Sequence, residues 1–187
     1  MSKQRVFQVR RSMLRLTGSL ALTAASAPAL AKLTTPVRAT GRDLHMAHLH
    51  TAERIGVVYA VGDEYVDPVL SQLNHFLRDH YSQEVGVMDP TLYDMLHQIR
   101  LDLGVRGSFD VISGYRSPKT NERLRTTRGG GVAKRSLHMD GKAIDVRLPG
   151  VPLTDLRDAA IAQKRGGVGY YPSDRFVHID TGNVRYW

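Results

Sequence analysis

Two short segments near the end of the chain hold residues able to do chemistry. SLHMDGKAIDV, residues 136–146, carries His138 and Asp145, and RFVHIDTG, residues 175–182, carries His178. Aspartate is depleted in strands, and a buried unpaired carboxylate is costly. Yet Asp145 interrupts an aliphatic run that reads as a strand over 142–148. Side chains alternate faces along a strand. Ile144, Val146 and Leu148 then point to a core, and Ala143, Asp145 and Arg147 point away. In the second segment Val177 and Ile179 point to the core, with Phe176, His178 and Asp180 on the other face. Paired in one sheet, the two strands place Asp145 and His178 on one open face. His138 lies an odd seven residues before Asp145, on the wrong side of a straight strand. Asp140-Gly141 between them is a strong turn signal, and a bend there folds His138 back. Two imidazoles and a carboxylate, with a fourth position left to water, describe a catalytic zinc site. Such a cation would offset the cost of burying Asp145. The same three residues also read as unrelated core or surface side chains.

Six other histidines offer less. His45, His48 and His50 cluster on the first expected strand and read as a half-exposed face. His75, His80 and His97 read as helical surface or packing residues, which completes the eight. There is no cysteine, so a metal would be held by His, Asp or Glu, and no disulfide framework exists.

These residues need elements to position them. LHMAHLHT and RIGVVYAV read as two strands separated near Glu53. Asp67-Pro68 and Asp89-Pro90 are helix-start signals. Val69, Leu70, Leu73, Phe76 and Leu77 follow the first at helical spacing. Leu92, Met95, Leu96, Ile99 and Leu103 follow the second and stop at Gly104. FDVISGYR is a strand running into a turn, Ser117-Pro118 opens a short helix, and RTTRGGGVAKR is a glycine-rich basic loop. Its glycines are not a phosphate loop, since no Lys-Ser/Thr follows them. A helix capped by Thr154 and two strands near 167–171 and 175–180 close the chain. The irregular order of strands and helices predicts an α+β fold, a single domain with a mostly antiparallel sheet and helices packed on one face.

The net charge of +8 invites a nucleic-acid reading, but five of those charges fall in residues 1–31, leaving a surplus of three. The aromatics do not interleave with basic residues as a stacking platform requires, so no nucleic-acid partner is expected. A mild positive charge suits an anionic polymer such as a cell wall. Arg10-Arg11, then Met13-Leu14 and Arg15, resemble a twin-arginine export signal. The apolar stretch from Leu16 to Leu30 is too short and weak for a permanent span. Ala29-x-Ala31 is a small-residue cleavage pattern. The expected organisation is a signal peptide over 1–31, a lead-in over 32–42 and, over 43–187, one domain that holds the candidate zinc site. The expected location is the periplasm, without stable membrane insertion after cleavage.

SLHMDGKAID also matches Ser-x-His-x-x-Gly-x-Ala-x-Asp, the motif of the zinc D-Ala-D-Ala metallopeptidases, which share the fold of lysostaphin-type endopeptidases and the hedgehog signalling domain. VISGYRSPKTN, GVAKRSLHMDGKAIDVRLPGV, GGVGYYP and FVHIDTG together resemble the murein endopeptidase K family over about residues 40–187. The resemblance implies that His138, Asp145 and His178 ligate Zn2+ and that Arg116 faces the substrate carbonyl or carboxylate. A guanidinium there can neutralise a developing oxyanion. Ser136 would support the turn or the substrate, and Gly141 the bend. One departure stands out. The related enzymes carry a glutamate three residues before the last histidine, or a histidine two before it, and this chain has Arg175 and Phe176. Asp180 is then the first candidate for base or orienting residue, followed by Asp140 and Asp174; zinc-bound hydroxide assisted by Arg116 is a further possibility. The leading expectation is a zinc endopeptidase acting on peptidoglycan cross-links, with the loop 128–133 bordering its cleft and a separate regulatory protein a further conceivable partner. The rivals are a zinc-containing wall-binding module without catalysis and a metal-free glycan hydrolase using Asp140 and Asp145.

Overall fold

A computed structural model describes residues 41–127 and 132–187. The expected signal peptide, most of the lead-in and residues 128–131 of the glycine-rich loop lie outside these. The strands are β1 (Gly41–His48), β2 (Arg54–Val61), β3 (Glu64–Tyr65), β4 (Phe109–Ser113), β5 (Ala143–Arg147), β6 (Gly167–Tyr171), β7 (Phe176–Asp180) and β8 (Arg185–Tyr186). The helices are α1 (Asp67–Phe76), α2 (Thr91–Asp102), α3 (Pro118–Thr127) and α4 (Leu153–Ala162). All eight strands form one sheet in the order β3-β2-β1-β4-β5-β7-β6-β8. Pairing is antiparallel except for β1 with β4 and β6 with β8. The α+β expectation holds, and the two-residue strands β3 and β8, too short for any periodic signal, are additions to it.

One face of the sheet is dry. Leu44 and Met46 of β1, Ile144 and Val146 of β5, and Val177 and Ile179 of β7 join Leu73 and Phe76 of α1, Leu92, Met95, Leu96 and Ile99 of α2, and Leu156 and Ala160 of α4 in one buried cluster. The α2 positions repeat at i, i+3, i+4 and i+7, one face of a helix. That helix ends in a Schellman motif: the Gly104 N–H donates to the Leu101 carbonyl and the Val105 N–H to that of Arg100. α3 contributes no residue to the cluster and lies instead beside the groove described below, where Leu124 is a lining residue.

Several local expectations shift. α1 begins with Asp67 and Pro68 inside its first turn and Val66 as the cap, without a side-chain cap bond. α4 begins at Leu153 after Pro152, one residue ahead of the expected cap Thr154. In both, a proline with its φ already set starts the turn. Gly41 and Arg42, assigned by sequence to the lead-in, belong to β1. His48 is buried rather than half-exposed, and His80 lies in the turn after α1 rather than on a helix.

Candidate metal centre and active site

β5 and β7 are direct neighbours, and their register sets Asp145 opposite His178. Both side chains stand on the face away from the helices, as period-2 alternation requires. His138 arrives from the turn before β5. The Gly141 N–H donates to the His138 carbonyl and the Lys142 N–H to that of Leu137. Gly141 has φ +66, and a side chain there would collide with the Val87 carbonyl. The bend therefore needs glycine on two counts.

The three residues converge. One ligating atom from each lies within 4.8 Å of the others. His138 Nε2 is 3.3 Å and His178 Nδ1 is 2.8 Å from Asp145 Oδ1. The second nitrogen of each ring is occupied. His138 Nδ1 is 2.7 Å from the Gly114 carbonyl, to which only an N–H can donate. That fixes the tautomer and leaves a lone pair on Nε2. His178 Nε2 is 3.0 Å from Asp180 Oδ2, which leaves Nδ1 facing Asp145. Metal-binding histidines characteristically donate their other N–H to a carbonyl or carboxylate, which sets ring orientation and raises basicity. The donor set, two imidazoles and one carboxylate with both rings oriented, fits a divalent ion of the zinc type.

Electrostatics agree. Burial pushes the Asp145 carboxyl up, but the adjoining His138 and His178 rings outweigh it and hold the group well below the carboxylate range. Burial pushes His178 down, while its bonds to Asp145 and Asp180 raise it to about 9. A cluster with two carboxylates and two rings attracts positive charge, a proton or a metal.

Asp180 is fully buried and its oxygens are saturated. Oδ1 accepts from the backbone of Gly167 at 3.0 Å and Gly182 at 2.8 Å, and from Arg185 at 3.2 Å. Oδ2 accepts from Arg185 at 2.7 Å and faces His178. Such a carboxylate holds a ring in place. Of the other acidic candidates, Asp140 is exposed and stands outside the groove lining, whereas Asp174 is part of that lining. Asp145 is occupied by histidines, so the pair of free carboxylates that a glycan hydrolase needs is not formed.

The site opens into a groove of about 550 Å³. Arg116 lines it, its side chain 3.3 Å from Asn121 Oδ1 and 3.5 Å from Ser113 Oγ, and its N–H donating to the His138 carbonyl. The turn after Arg116 is clamped by buried Asp79, whose Oδ2 accepts from the Ser117 N–H at 2.9 Å while Oδ1 accepts from Tyr81 and Ser82. Ser136 and the described residues of the 128–133 loop, Val132 and Ala133, also line the groove. The sequence reading missed His50, His80, Tyr81, Tyr171, Arg185 and Trp187, all of them lining residues. Only the Arg185–Asp180 partnership had a local signal, a basic residue five positions after an invested acid.

Residues 37–187 match the family model described as peptidoglycan L,D-endopeptidase MepK. The chain is 43% identical over 183 residues to the peptidoglycan L,D-endopeptidase MepK of Escherichia coli (strain K12), covering 97% of this chain and 98% of that one. It is 38% identical over 184 residues to the probable peptidoglycan L,D-endopeptidase MepK of Haemophilus influenzae, covering 97% of each. With that length of match, and with the motif histidines and aspartate gathered at one site, the chain belongs to the MepK family of peptidoglycan endopeptidases.

Proposed function

We propose that this protein is a zinc-dependent endopeptidase that hydrolyses amide bonds in peptidoglycan peptide cross-links outside the cytoplasm. The observation that carries the metal is the pair of oriented imidazoles on either side of Asp145. The family likeness supplies the peptidoglycan substrate, and the relatives' names as L,D-endopeptidases point to an L,D bond. Residues 1–31, with Arg10-Arg11 and Ala29-x-Ala31, support twin-arginine export and cleavage after Ala31. Among the described residues no helix is long and apolar enough to cross a membrane.

His138, Asp145 and His178 would hold the ion. Held there, a zinc ion would supply Lewis-acid chemistry and activate water as a nucleophile. The remaining work falls to the chain. Arg116 places a guanidinium in the groove, where it stabilises negative charge developing on the carbonyl oxygen. Asp180 orients His178 and, being saturated, does not take the proton. Asp174 and His80 line the groove and have basic atoms to offer. Burial and the neighbouring His50 push His80 down to about 4, so it is neutral at pH 7 and a weak base, which favours Asp174 of the two.

Purified protein, analysed for metal and incubated with defined cross-linked muropeptides with and without chelator, tests this reading. The expected result is one zinc per chain and chelator-sensitive conversion of dimers to monomers. Stoichiometric zinc with binding and no cleavage would make the protein a wall-binding module. Cleavage that survives complete metal removal would sink the zinc mechanism.

A further inference from the structure

Trp187 is the single tryptophan of the chain and lines the groove beside the metal ligands. Its placement is unusually well supported for a side chain that remains 50% exposed. The backbone is pinned on both sides, with the Tyr170 N–H donating to the Trp187 carbonyl at 2.9 Å and the Trp187 N–H to that of Val168 at 3.2 Å. The indole Nε1–H donates to the Tyr171 hydroxyl at 2.8 Å. The Arg185 guanidinium sits 5.0 Å from the ring centre, within cation–π range. Beneath the indole lies Gly169, the residue paired with His178 across β6 and β7. A Cβ at Gly169 would come within 2.7 Å of the indole carbons. The ring therefore packs closely against bare backbone, its centre 5.4 Å from that of His178.

A large apolar ring is costly to hold half in water unless something covers it. Its polar atom is already engaged, and Arg185 is committed to Asp180 and the Asn183 carbonyl. The stacked pair of Tyr171 and Phe176, with centres 4.6 Å apart, extends the same side of the groove. Trp187, Tyr171 and Phe176 make this side of the lining largely aromatic, with Asp174 the carboxylate between the last two in sequence. The groove also carries Arg116, Arg135, His50 and His80, which are cationic or polar.

We propose that Trp187 is a specificity-determining residue, the apolar wall on the His178 side of the groove, against which the aliphatic side chain of a peptide residue flanking the cleaved amide packs. This rests on the endopeptidase reading of the groove. An aliphatic chain fits such a wall better than a sugar, whose hydroxyls would lose water there without gaining partners. Arg185 serves both walls of this corner, steadying the indole through its face and His178 through Asp180.

The chain's lone indole is its own reporter. Titrating the full, metal-loaded chain with a monomeric stem peptide, which offers no cross-link to cut, should shift and saturate the tryptophan emission. In steady-state cleavage of a cross-linked dimer, Trp187→Ala should raise KM about tenfold, with kcat within about twofold of wild type, the signature of lost uniform binding. Bound metal should be unchanged. Trp187→Phe should keep KM within about threefold, because a flat apolar ring remains. Gly169→Ala, which displaces the indole without removing it, should move KM in the same direction as Trp187→Ala. An unchanged KM in Trp187→Ala, or in Gly169→Ala if the Trp187→Ala variant does not fold, overturns the proposal. So does a joint fall of kcat and metal content at constant KM, which would mean that the indole merely covers His178. Emission that responds to a peptide-free glycan and not to the stem peptide would assign the wall to sugar. If wild-type protein cleaves no peptide, the endopeptidase reading fails, and the fluorescence titration still decides what Trp187 touches.

Discussion

His138 and His178 stand at one part of the groove, His50 and His80 at another, with His48 buried behind the second pair. Both groups bring imidazole rings within about 4–6 Å of one another. They differ in what occupies the second nitrogen. In the first group a carbonyl and a carboxylate take the outward nitrogens, and Asp145 receives the inward ones. In the second, His48 Nδ1 accepts the N–H groups of His50 and Thr51, so its remaining nitrogen carries the proton. His48 Nε2 and His80 Nε2 are buried without a hydrogen-bond partner, and His50 stacks face to face on His80 at 4.0 Å. Proximity of histidines is thus a weak criterion for a metal site. The deciding features are an anion among the rings and acceptors behind them.

The largest effect should come from removing that anion. Asp145→Ala is expected to reduce bound zinc to background and abolish turnover, and substitution of His138 or His178 by Ala should do the same. A His50→Ala/His80→Ala double variant should keep one zinc per chain. Metal analysis that found the reverse would exchange the roles of the two clusters. Next comes Arg116, whose backbone N–H bonds the His138 carbonyl and whose charge helps depress His80. Arg116→Met is expected to lower kcat about a hundredfold or more while zinc content holds, if its guanidinium meets the oxyanion. Loss of zinc in that variant would instead make Arg116 part of the scaffold around His138.

Asp180→Asn tests the acceptors behind the rings. A 10–100-fold loss of zinc affinity is about what removal of such an orienting partner costs, measured by competition with a chelator. Unaltered affinity would show that the sheet register alone orients His178. The smallest effect concerns stability. Burial, then neighbouring imidazoles, push His48 and His80 down to about 4, against about 6.5 for a free ring. The unfolded chain therefore binds protons between pH 6.5 and 4 that the folded chain refuses. The stability from these two groups is present above pH 6.5 and is lost as pH falls toward 4. His80→Gln removes one titration. Urea unfolding at pH 7 and pH 4.5 should show the gap between variant and wild type changing by about 1–2 kcal/mol in the variant's favour at the lower pH. An unchanged gap would mean that His80 protonates freely in the folded protein.

Much of the candidate metal centre follows from local pattern. Alternation along two five-residue strands suffices to put Asp145 and His178 on the face opposite Ile144, Val146, Val177 and Ile179. Asp140-Gly141 is a turn because glycine accepts a positive φ there. The helical stripes of α1 and α2 are likewise short-range facts, readable because apolar side chains must share a face to be buried. These are properties of neighbours in the chain, and the sequence by itself determined them.

What the tertiary structure decided lies between distant residues. The Gly114 carbonyl that fixes the His138 tautomer is 24 positions away, and the Asp79 carboxylate that clamps the Arg116 turn is 38 positions from Ser117. No periodicity announces β8, because two residues carry none, yet its pairing with β6 brings Arg185 to Asp180 and Trp187 onto Gly169. His80 belongs to the groove only because the chain after α1 packs against the turn after β4. Chemistry-bearing residue types are legible where local periodicity aims them, and the groove around them depends on non-local pairings whose partners the chain does not mark.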